Sequence, residues 1–272
     1  MCGFVGFTGD PDQGVLRGMT TAIAHRGPDD ADYFTDEGIA LGFRRLSIID
    51  LAGGRQPMVN EDGSKVLVFN GEIYNFSQIK EQLVAAGHVF KTAADSEVLL
   101  HGYEEYGPEL LNKLRGMFAF VIWDKNTRKL FGARDFFGIK PLYYAQMGET
   151  FLFGSEIKSF LSHPDFKKEL NPRALESYLS FQYSPGPETF FQGVYKLPPA
   201  HYFTYQAGKL KITRYWVPQF HAEEDKDLNY WVDEIEKVFD NSVEAHKISD
   251  VEVGSFLSSG VDSSYVACSA NV

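Results

Sequence analysis

The second residue of the chain is a cysteine, in the string Met1-Cys2-Gly3-Phe4-Val5-Gly6-Phe7. Once Met1 is removed, Cys2 carries a thiol and a free α-amino group. The reference pKa of such an amine is about 7.7–8.0, so a useful fraction is neutral base near pH 7. One residue then supplies nucleophile and general base together. Without other chemistry nearby, Cys2 reads as an inert small hydrophobe. Four further strings bear on that choice.

Asn70-Gly71-Glu72-Ile73-Tyr74-Asn75 follows the apolar run Val66-Leu67-Val68-Phe69. A side-chain amide and a glycine N–H at a strand end can both point at one developing negative charge, as in an oxyanion hole. The plain alternative is an Asn-Gly turn. Arg44-Arg45-Leu46-Ser47-Ile48-Ile49 places arginines beside an apolar stretch, where one could clamp a carboxylate bidentately or simply be solvated. Asp95-Ser96-Glu97 opens a helical pattern, so Asp95 is either its N-cap, the favoured reading, or a partner for an ammonium group. His25-Arg26-Gly27-Pro28-Asp29 reads as a turn, and nothing in it demands catalysis.

Leu257-Ser258-Ser259-Gly260-Val261-Asp262-Ser263-Ser264 lies between an expected strand and an expected helix. Small residues at such a turn make a nest of N–H groups, and the helix N-terminus adds positive potential, which suits phosphate. Asp262 could reach a Mg²⁺ bound to that phosphate. No Gly-Lys-Ser/Thr follows, so this is not a Walker A loop. A flexible serine-rich loop is the alternative.

The elements that must position these groups are short apolar runs broken by turn signals. Val66–Phe69, Phe118–Trp123, Phe151–Phe153 and Tyr202–Tyr205 read as strands. Several are continuously apolar, as in strands covered on both faces. Phe76, Ile79, Leu83 and Val84 make a helical stripe, capped by Asn75 in front and Gly87 behind. Further helices are expected from Asp95 to about Tyr106 and from Pro172 to Phe181. Two packed sheets with helices outside satisfy this layering, an α+β arrangement. The character changes near Pro218. A polar stretch from Ala222 to Asp227 reads as a linker. A helix to about His246, a strand over Val251–Leu257 and a helix from about Ser263 follow. Residues from 222 onward therefore read as the opening of a second domain whose remainder is missing, or else as an extension packed on the first.

The 272 residues are 44% hydrophobic and 15% aromatic, enough for a sizeable core, and no run long enough to span a membrane is present. The formal charge of -11 does not advertise nucleic-acid or anionic-membrane binding, though a local arginine can still hold an anionic small molecule. Two cysteines, Cys2 and Cys268, make neither a disulfide framework nor a metal cluster. With no signal-peptide layout, the expectation is a cytoplasmic protein. Nothing in the residues speaks to oligomeric state.

Taken in order, these strings resemble the glutamine-hydrolysing asparagine synthetase family. The resemblance adds Gly116-Met117-Phe118-Ala119-Phe120, the run from Ala133 to Tyr144 and Ser155-Glu156-Ile157-Lys158, and it covers essentially the whole chain. It implies a four-layer αββα N-terminal-nucleophile sandwich over 1–215, a class II glutaminase. The truncated start of an α/β ATP-pyrophosphatase synthetase domain would follow over 222–272. It implies that Cys2 attacks glutamine, that Asn70 and Gly71 stabilise the oxyanion, and that Arg45 holds the α-carboxylate. Glu72 and Asp95 would hold the α-ammonium, with Leu46, Ser47, Ile48 and Ile49 lining the pocket. Glutamine hydrolysis needs no cofactor in this picture. ATP and Mg²⁺ would serve aspartate activation in the full-length enzyme, with ATP on Leu257, Ser258, Ser259, Gly260, Asp262 and Ser263 and Mg²⁺ on Asp262. At Ser259 the family more often has glycine. The chain alone is expected to hydrolyse glutamine and release ammonia without making asparagine. The alternatives are the same glutaminase serving a different carboxylate acceptor, or a non-catalytic glutamine-binding module. Class II relatives that aminate phosphosugars are disfavoured by the Ser258–Asp262 loop.

Overall fold

A computed structural model of the chain describes residues 2–51, 53–222 and 226–271. Met1, whose removal the N-terminal reading requires, and part of the expected linker lie outside them. The chain begins with β1 (Gly3–Thr8), α1 (Gln13–Ala22), β2 (Asp30–Asp36), β3 (Ile39–Arg45), β4 (Met58–Val59) and β5 (Lys65–Ile73). It continues through α2 (Phe76–Ala85), α3 (Glu97–Tyr106), β6 (Gly116–Asp124), β7 (Lys129–Arg134), β8 (Tyr143–Met147), β9 (Thr150–Gly154) and α4 (Pro172–Phe181). The last elements are β10 (Val194–Lys196), β11 (His201–Gln206), β12 (Lys209–Arg214), α5 (Leu228–His246) and α6 (Val261–Ala270).

Among the described residues the strands form two six-stranded sheets, ordered β10-β8-β9-β1-β3-β2 and β12-β11-β7-β6-β5-β4. Every pairing is antiparallel. Three buried clusters define four layers. In the middle, Phe4, Leu41 and Phe43 of the first sheet meet Val66, Val68, Val121 and Phe203 of the second. Outside the first sheet, Leu16, Met19 and Ile23 from α1 and its end cover Val5, Phe7 and Leu152. Outside the second, Ile79 and Leu83 of α2 and Val98 and Leu99 of α3 cover Leu67, Phe69 and Phe120. Each such large apolar side chain contributes about 1.5–3 kcal/mol by leaving water. The continuously apolar strands are those that feed clusters on both sides: Val66 and Val68 face the other sheet while Leu67 and Phe69 face the helices. The expected αββα sandwich is the observed one.

The four strands expected within the sandwich and the expected helices are present. Helix α4 begins at Pro172 behind Asn171, whose side chain accepts the Arg173 N–H at 3.2 Å. Helix α5 begins after Asp227, which accepts the Tyr230 N–H at 2.9 Å. Helix α6 starts two residues before the expected Ser263. The expected strand over Val251–Leu257 is not formed. That segment is exposed and irregular, with Phe256 fully exposed. A strand needs a neighbour to complete its ladder, and among the described residues none pairs with it. No helix of the described residues is long and apolar enough to cross a membrane.

The C-terminal region is tied to the sandwich near one loop. Asp250 accepts the Asp50 N–H through Oδ2 at 2.7 Å and donates its own N–H to the Ile48 carbonyl at 3.0 Å. Arg115 donates to Asn241 Oδ1 at 2.7 Å, and the Tyr74 and His246 rings lie 4.3 Å apart.

Candidate active site

Cys2 sits at the entrance to β1, and Arg45 ends β3; the two strands pair with Gly3 opposite Arg44. Strand β5 of the other sheet packs against both β1 and β3 and carries Asn70, Gly71 and Glu72 near its end. The segment before α3 supplies Asp95. These elements surround one pocket, lined by Cys2, Arg45, Leu46, Ile48, Ile49, Asn70, Gly71, Glu72 and Asp95. Ser47 is the exception among the expected residues. It is not part of the lining, and its N–H instead donates to Asp29 Oδ2 at 2.8 Å.

The sulfur of Cys2 is half-buried. Its hydrogen bonds among the described residues go to one neighbour: Leu46 N–H donates to Sγ at 3.3 Å, and Sγ–H donates to Leu46 O at 3.4 Å. Burial pushes the thiol above its usual range, against the Leu46 hydrogen bond and the positive charge of Arg45. The resting sulfur is therefore a protonated thiol that needs a base, and neither imidazole nor carboxylate hydrogen-bonds it.

Asn70 is 1% exposed, and its Nδ2 is a buried donor with no hydrogen-bond acceptor. An orphaned donor of this kind costs about 1–3 kcal/mol, and here it belongs to a pocket-lining residue. The Gly71 amide follows from strand periodicity. Phe69 N–H donates to Gln56 Oε1 at 2.6 Å and Ile73 N–H to Asp95 Oδ2 at 2.8 Å, on the side of β5 away from β6. Gly71 lies between them, so its N–H faces that same side, where the pocket opens. Only glycine fits here, because a Cβ would lie 2.2 Å from Met117 O across the β5–β6 ladder.

Asp95 is not the N-cap of α3, as the sequence favoured. The cap position falls on Ser96, which makes no side-chain cap bond. The Asp95 carboxylate instead takes the Ile73 N–H at the end of β5. Burial pushes its carboxyl up to about 7, and the Glu72 charge adds to that; Glu72 is itself raised by burial. Two carboxyls held above their usual range side by side form a site that gains from an incoming cation.

Arg45 is buried and turned onto its own loop. Its Nη1 donates to Leu51 O at 3.0 Å, and its Nη2 to Asp50 O at 2.6 Å and to Ile49 O at 3.4 Å. Nε–H and one Nη1–H are left for a ligand. The same loop is the one Asp250 grips from the C-terminal region.

Sequence reasoning missed several residues. Arg26 came from the string in which nothing demanded catalysis. Its Nε donates to Cys2 O at 2.9 Å and its Nη1 to Glu156 Oε1 at 3.0 Å, so it fixes the backbone of Cys2. Gly27 lets that turn close on β3, since a Cβ there would lie 2.4 Å from the Arg44 backbone. That required glycine was the one available signal. For any reaction in which the Cys2 sulfur attacks a bound molecule, Arg26→Ala should lower kcat about 10- to 100-fold by loosening the position of that sulfur. Steady-state kinetics would check this, with KM changing little. Lys140 and Gln56 also line the pocket. Burial holds the Lys140 ammonium below its usual range, opposed by the Glu72 charge.

The Ser258–Ser263 loop is separate from this pocket. Ser258 Oγ and Ser263 Oγ lie 3.0 Å apart, and Ser263 Oγ donates to Gly260 O at 3.1 Å. Gly260, at the N-cap of α6, leaves the helix start without a side-chain cap. Ser259 has φ +67°, a left-handed conformation that glycine adopts at less cost.

A chain with this two-sheet sandwich and Cys2 in its cleft is similar to known proteins. A family described as a glutamine amidotransferase domain matches residues 1–216, and the chain belongs to it. A second family, described as asparagine synthase, matches residues 234–272. The chain is 45% identical to asparagine synthetase [glutamine-hydrolyzing] 1 of Bacillus subtilis, over 98% of this chain and 43% of that protein. It is 37% identical to asparagine synthetase [glutamine-hydrolyzing] 3 of the same organism, over 99% of this chain and 45% of the relative. The chain thus spans less than half the length of these relatives. A solved structure of glutamine phosphoribosylpyrophosphate amidotransferase from B. subtilis shares the fold, with TM-score 0.58 and 19% identity. That match covers 99% of this chain and 64% of that one.

Proposed function

We propose that this chain hydrolyses L-glutamine to glutamate and ammonia, with Cys2 as an N-terminal nucleophile. The observation that carries this reading is that Cys2 and Asn70, whose buried Nδ2 has no acceptor, line one pocket together with two raised carboxyls. In the reaction, the α-amino group of Cys2, freed by loss of Met1, takes the thiol proton. The sulfur attacks the carboxamide carbon, and negative charge develops on its oxygen. Asn70 Nδ2–H and Gly71 N–H donate to that oxygen. The ammonium so formed protonates the leaving nitrogen, ammonia departs, and a thioester to Cys2 remains. Water, deprotonated by the same amine, then releases glutamate and restores the thiol. The remaining donors of Arg45 hold the substrate α-carboxylate, and Asp95 and Glu72 hold its α-ammonium. Leu46, Ile48 and Ile49 pack around its methylenes.

The proposal extends to the C-terminal region. Residues 1–215 act as the glutaminase, and residues 222–272 belong to a synthetase unit that consumes the ammonia, with aspartate as acceptor and asparagine as product. The uncapped start of α6 and the serine hydroxyls beside it suit a phosphate group; Leu257, Ser258, Ser259, Gly260 and Ser263 would hold ATP and Asp262 its Mg²⁺. ATP with Mg²⁺ supplies activation of the acceptor carboxylate. A cytoplasmic setting belongs to the same proposal.

The experiment is glutamate and ammonia release from L-glutamine, with D-glutamine in parallel. Equal amounts of both products from the L isomer only are expected. Tight binding of L-glutamine without release would instead support a binding module.

The pocket also predicts a pH dependence. Holding the substrate ammonium requires ionised Asp95, whose carboxyl is pushed up to about 7. Below that pH, binding must first remove a proton, so affinity weakens about tenfold per unit of falling pH. Above it, affinity is flat. The Kd of L-glutamine for the Cys2→Ala chain, measured calorimetrically from pH 5 to 8, would show this limb. Asp95→Asn should flatten it and weaken binding at pH 8 by about 10- to 150-fold, the worth of one charge-assisted hydrogen bond.

A further inference from the structure

The turn between β4 and β5, the segment after α2, and α3 meet around a second cluster of functional side chains. Glu61, His88, His101 and Glu104 each offer one ligand atom, and all four atoms lie within 4.8 Å of one another. None of the four lines the glutamine pocket. His101 Nδ1 lies 3.2 Å from Glu61 Oε2 and 3.2 Å from Glu104 Oε2. His88 Nδ1 lies 3.7 Å from Glu61 Oε1 and 4.0 Å from Glu104 Oε2. A tetrahedral zinc ion with bonds of about 2.0–2.1 Å holds its ligands about 3.3–3.4 Å apart. The cluster is therefore already close to that spacing.

We propose that Glu61, His88, His101 and Glu104 form a structural divalent-cation site, with zinc as the ion that suits the donors. The orientation of both imidazoles favours this over a set of ordinary ion pairs. Each turns Nδ1 inward and Nε2 outward to a further carboxylate: His101 toward Glu97 Oε1 at 3.5 Å, His88 toward Glu105 Oε2 at 3.5 Å. A carboxylate behind the outer nitrogen of a ligating histidine is the recurring arrangement of metal centres. His101 is 1% exposed, with Glu97 Oε1 3.5 Å behind its Nε2 and Nδ1 turned to the cluster. Glu104 is also oriented for one ligand oxygen. Its Oε1 accepts Asn60 Nδ2–H at 2.6 Å and lies 3.6 Å from Lys65 Nζ, which leaves Oε2 to face the cluster.

Charge and donor type agree. Glu61, Glu104 and one divalent cation neutralise one another, and Lys65 offsets part of the charge of the outer carboxylates Glu97 and Glu105. Two nitrogens and two oxygens without thiolate suit zinc, whereas calcium and magnesium prefer all-oxygen shells. Four protein ligands close the shell, the mark of a structural centre. Such an ion would staple the β4–β5 turn and the segment after α2 to α3. β5 carries Asn70, and Asp95 lies two residues before α3, so the staple would brace two walls of the pocket without touching substrate.

The test is metal binding by the full chain, independent of glutamine turnover. The protein is stripped with a chelator, dialysed and titrated with cobalt(II), then with zinc(II). Expected is one cobalt per chain with the intense visible bands of a tetrahedral site and no thiolate charge-transfer band. The absence of that band separates this site from Cys2 and Cys268. Zinc should displace the cobalt and raise the Tm. His88→Gln and Glu61→Gln, at partly exposed positions, should each weaken binding about 100-fold or more and abolish the Tm rise, with circular dichroism unchanged. A weak octahedral spectrum, less than stoichiometric metal after dialysis, or unaltered affinity in both variants would overturn the proposal. Those results would assign the cluster to ion pairs of protonated His101 with its glutamates.

Discussion

Cys2→Ala is expected to reduce glutamate release from L-glutamine to background, a loss on the order of 10⁴-fold or more. The size follows from the pocket. The sulfur of Cys2 hydrogen-bonds only to Leu46 among the described residues. With the nucleophile gone, no neighbouring group is placed to take over attack on the carboxamide. Groups that act as one nucleophilic unit lose nearly everything when the nucleophile goes. Binding should survive, because the residues proposed to hold the two ends of glutamine, Arg45, Glu72 and Asp95, are untouched. The check is a coupled glutamate assay beside calorimetric binding of L-glutamine to the same variant. Retained binding with lost turnover is the expected pair. Lost binding would instead indicate that the thiol packs against the substrate more than it reacts.

Asn70→Ala should lower kcat by about 10²–10³-fold with KM nearly unchanged. Removal of one oxyanion donor typically costs this much, because the donor is matched to charge that exists only in the transition state. The structure gives a specific reason to expect the upper part of that range. Asn70 Nδ2 is buried and carries no acceptor, so the protein already bears the cost of desolvating it, and the oxyanion would be its first partner. The same fact makes a second outcome expected. Removing an orphaned buried donor should leave the Tm unchanged or slightly higher, although truncating a buried side chain usually lowers it. Stopped-flow or steady-state kinetics with thermal unfolding on one preparation would read both. A large fall in Tm with little change in kcat would assign Asn70 to packing.

Much of the layering was legible because burial on two faces leaves a mark in composition. Strands such as Val66–Phe69 are apolar at every position, and each face meets a different cluster. The stripe of Phe76, Ile79 and Leu83 in α2 was an equally local signal. The strand expected over Val251–Leu257 failed because a strand is not a local property. Its apolar residues match the pattern, but the ladder depends on a partner elsewhere.

The site divides the same way. Cys2, Asn70-Gly71 and Arg45 line one pocket, as the resemblance implied; their types alone had left an inert cysteine, an Asn-Gly turn and a solvated arginine open. Asp95 was misread as a cap because an acid before a helix has a local explanation that is usually sufficient; its actual partner, the Ile73 amide, is 22 positions away. Arg26 was invisible for a related reason. Its bond to the Cys2 carbonyl depends on how the turn at Gly27 folds against β3, and no spacing in the chain encodes that contact. Ser47 was swept in with a contiguous run, whereas alternation along the backbone sends its amide to Asp29.

The central claim, that Cys2 acts through its own α-amino group, is tested most directly by the N-terminus itself. Glutamate release would be measured for two preparations of the same chain, one verified by intact mass to begin at Cys2 and one retaining Met1. The account predicts turnover by the first and none by the second, since an amide nitrogen cannot take the thiol proton. Equal turnover by both, or none by the chain that begins at Cys2, would contradict it.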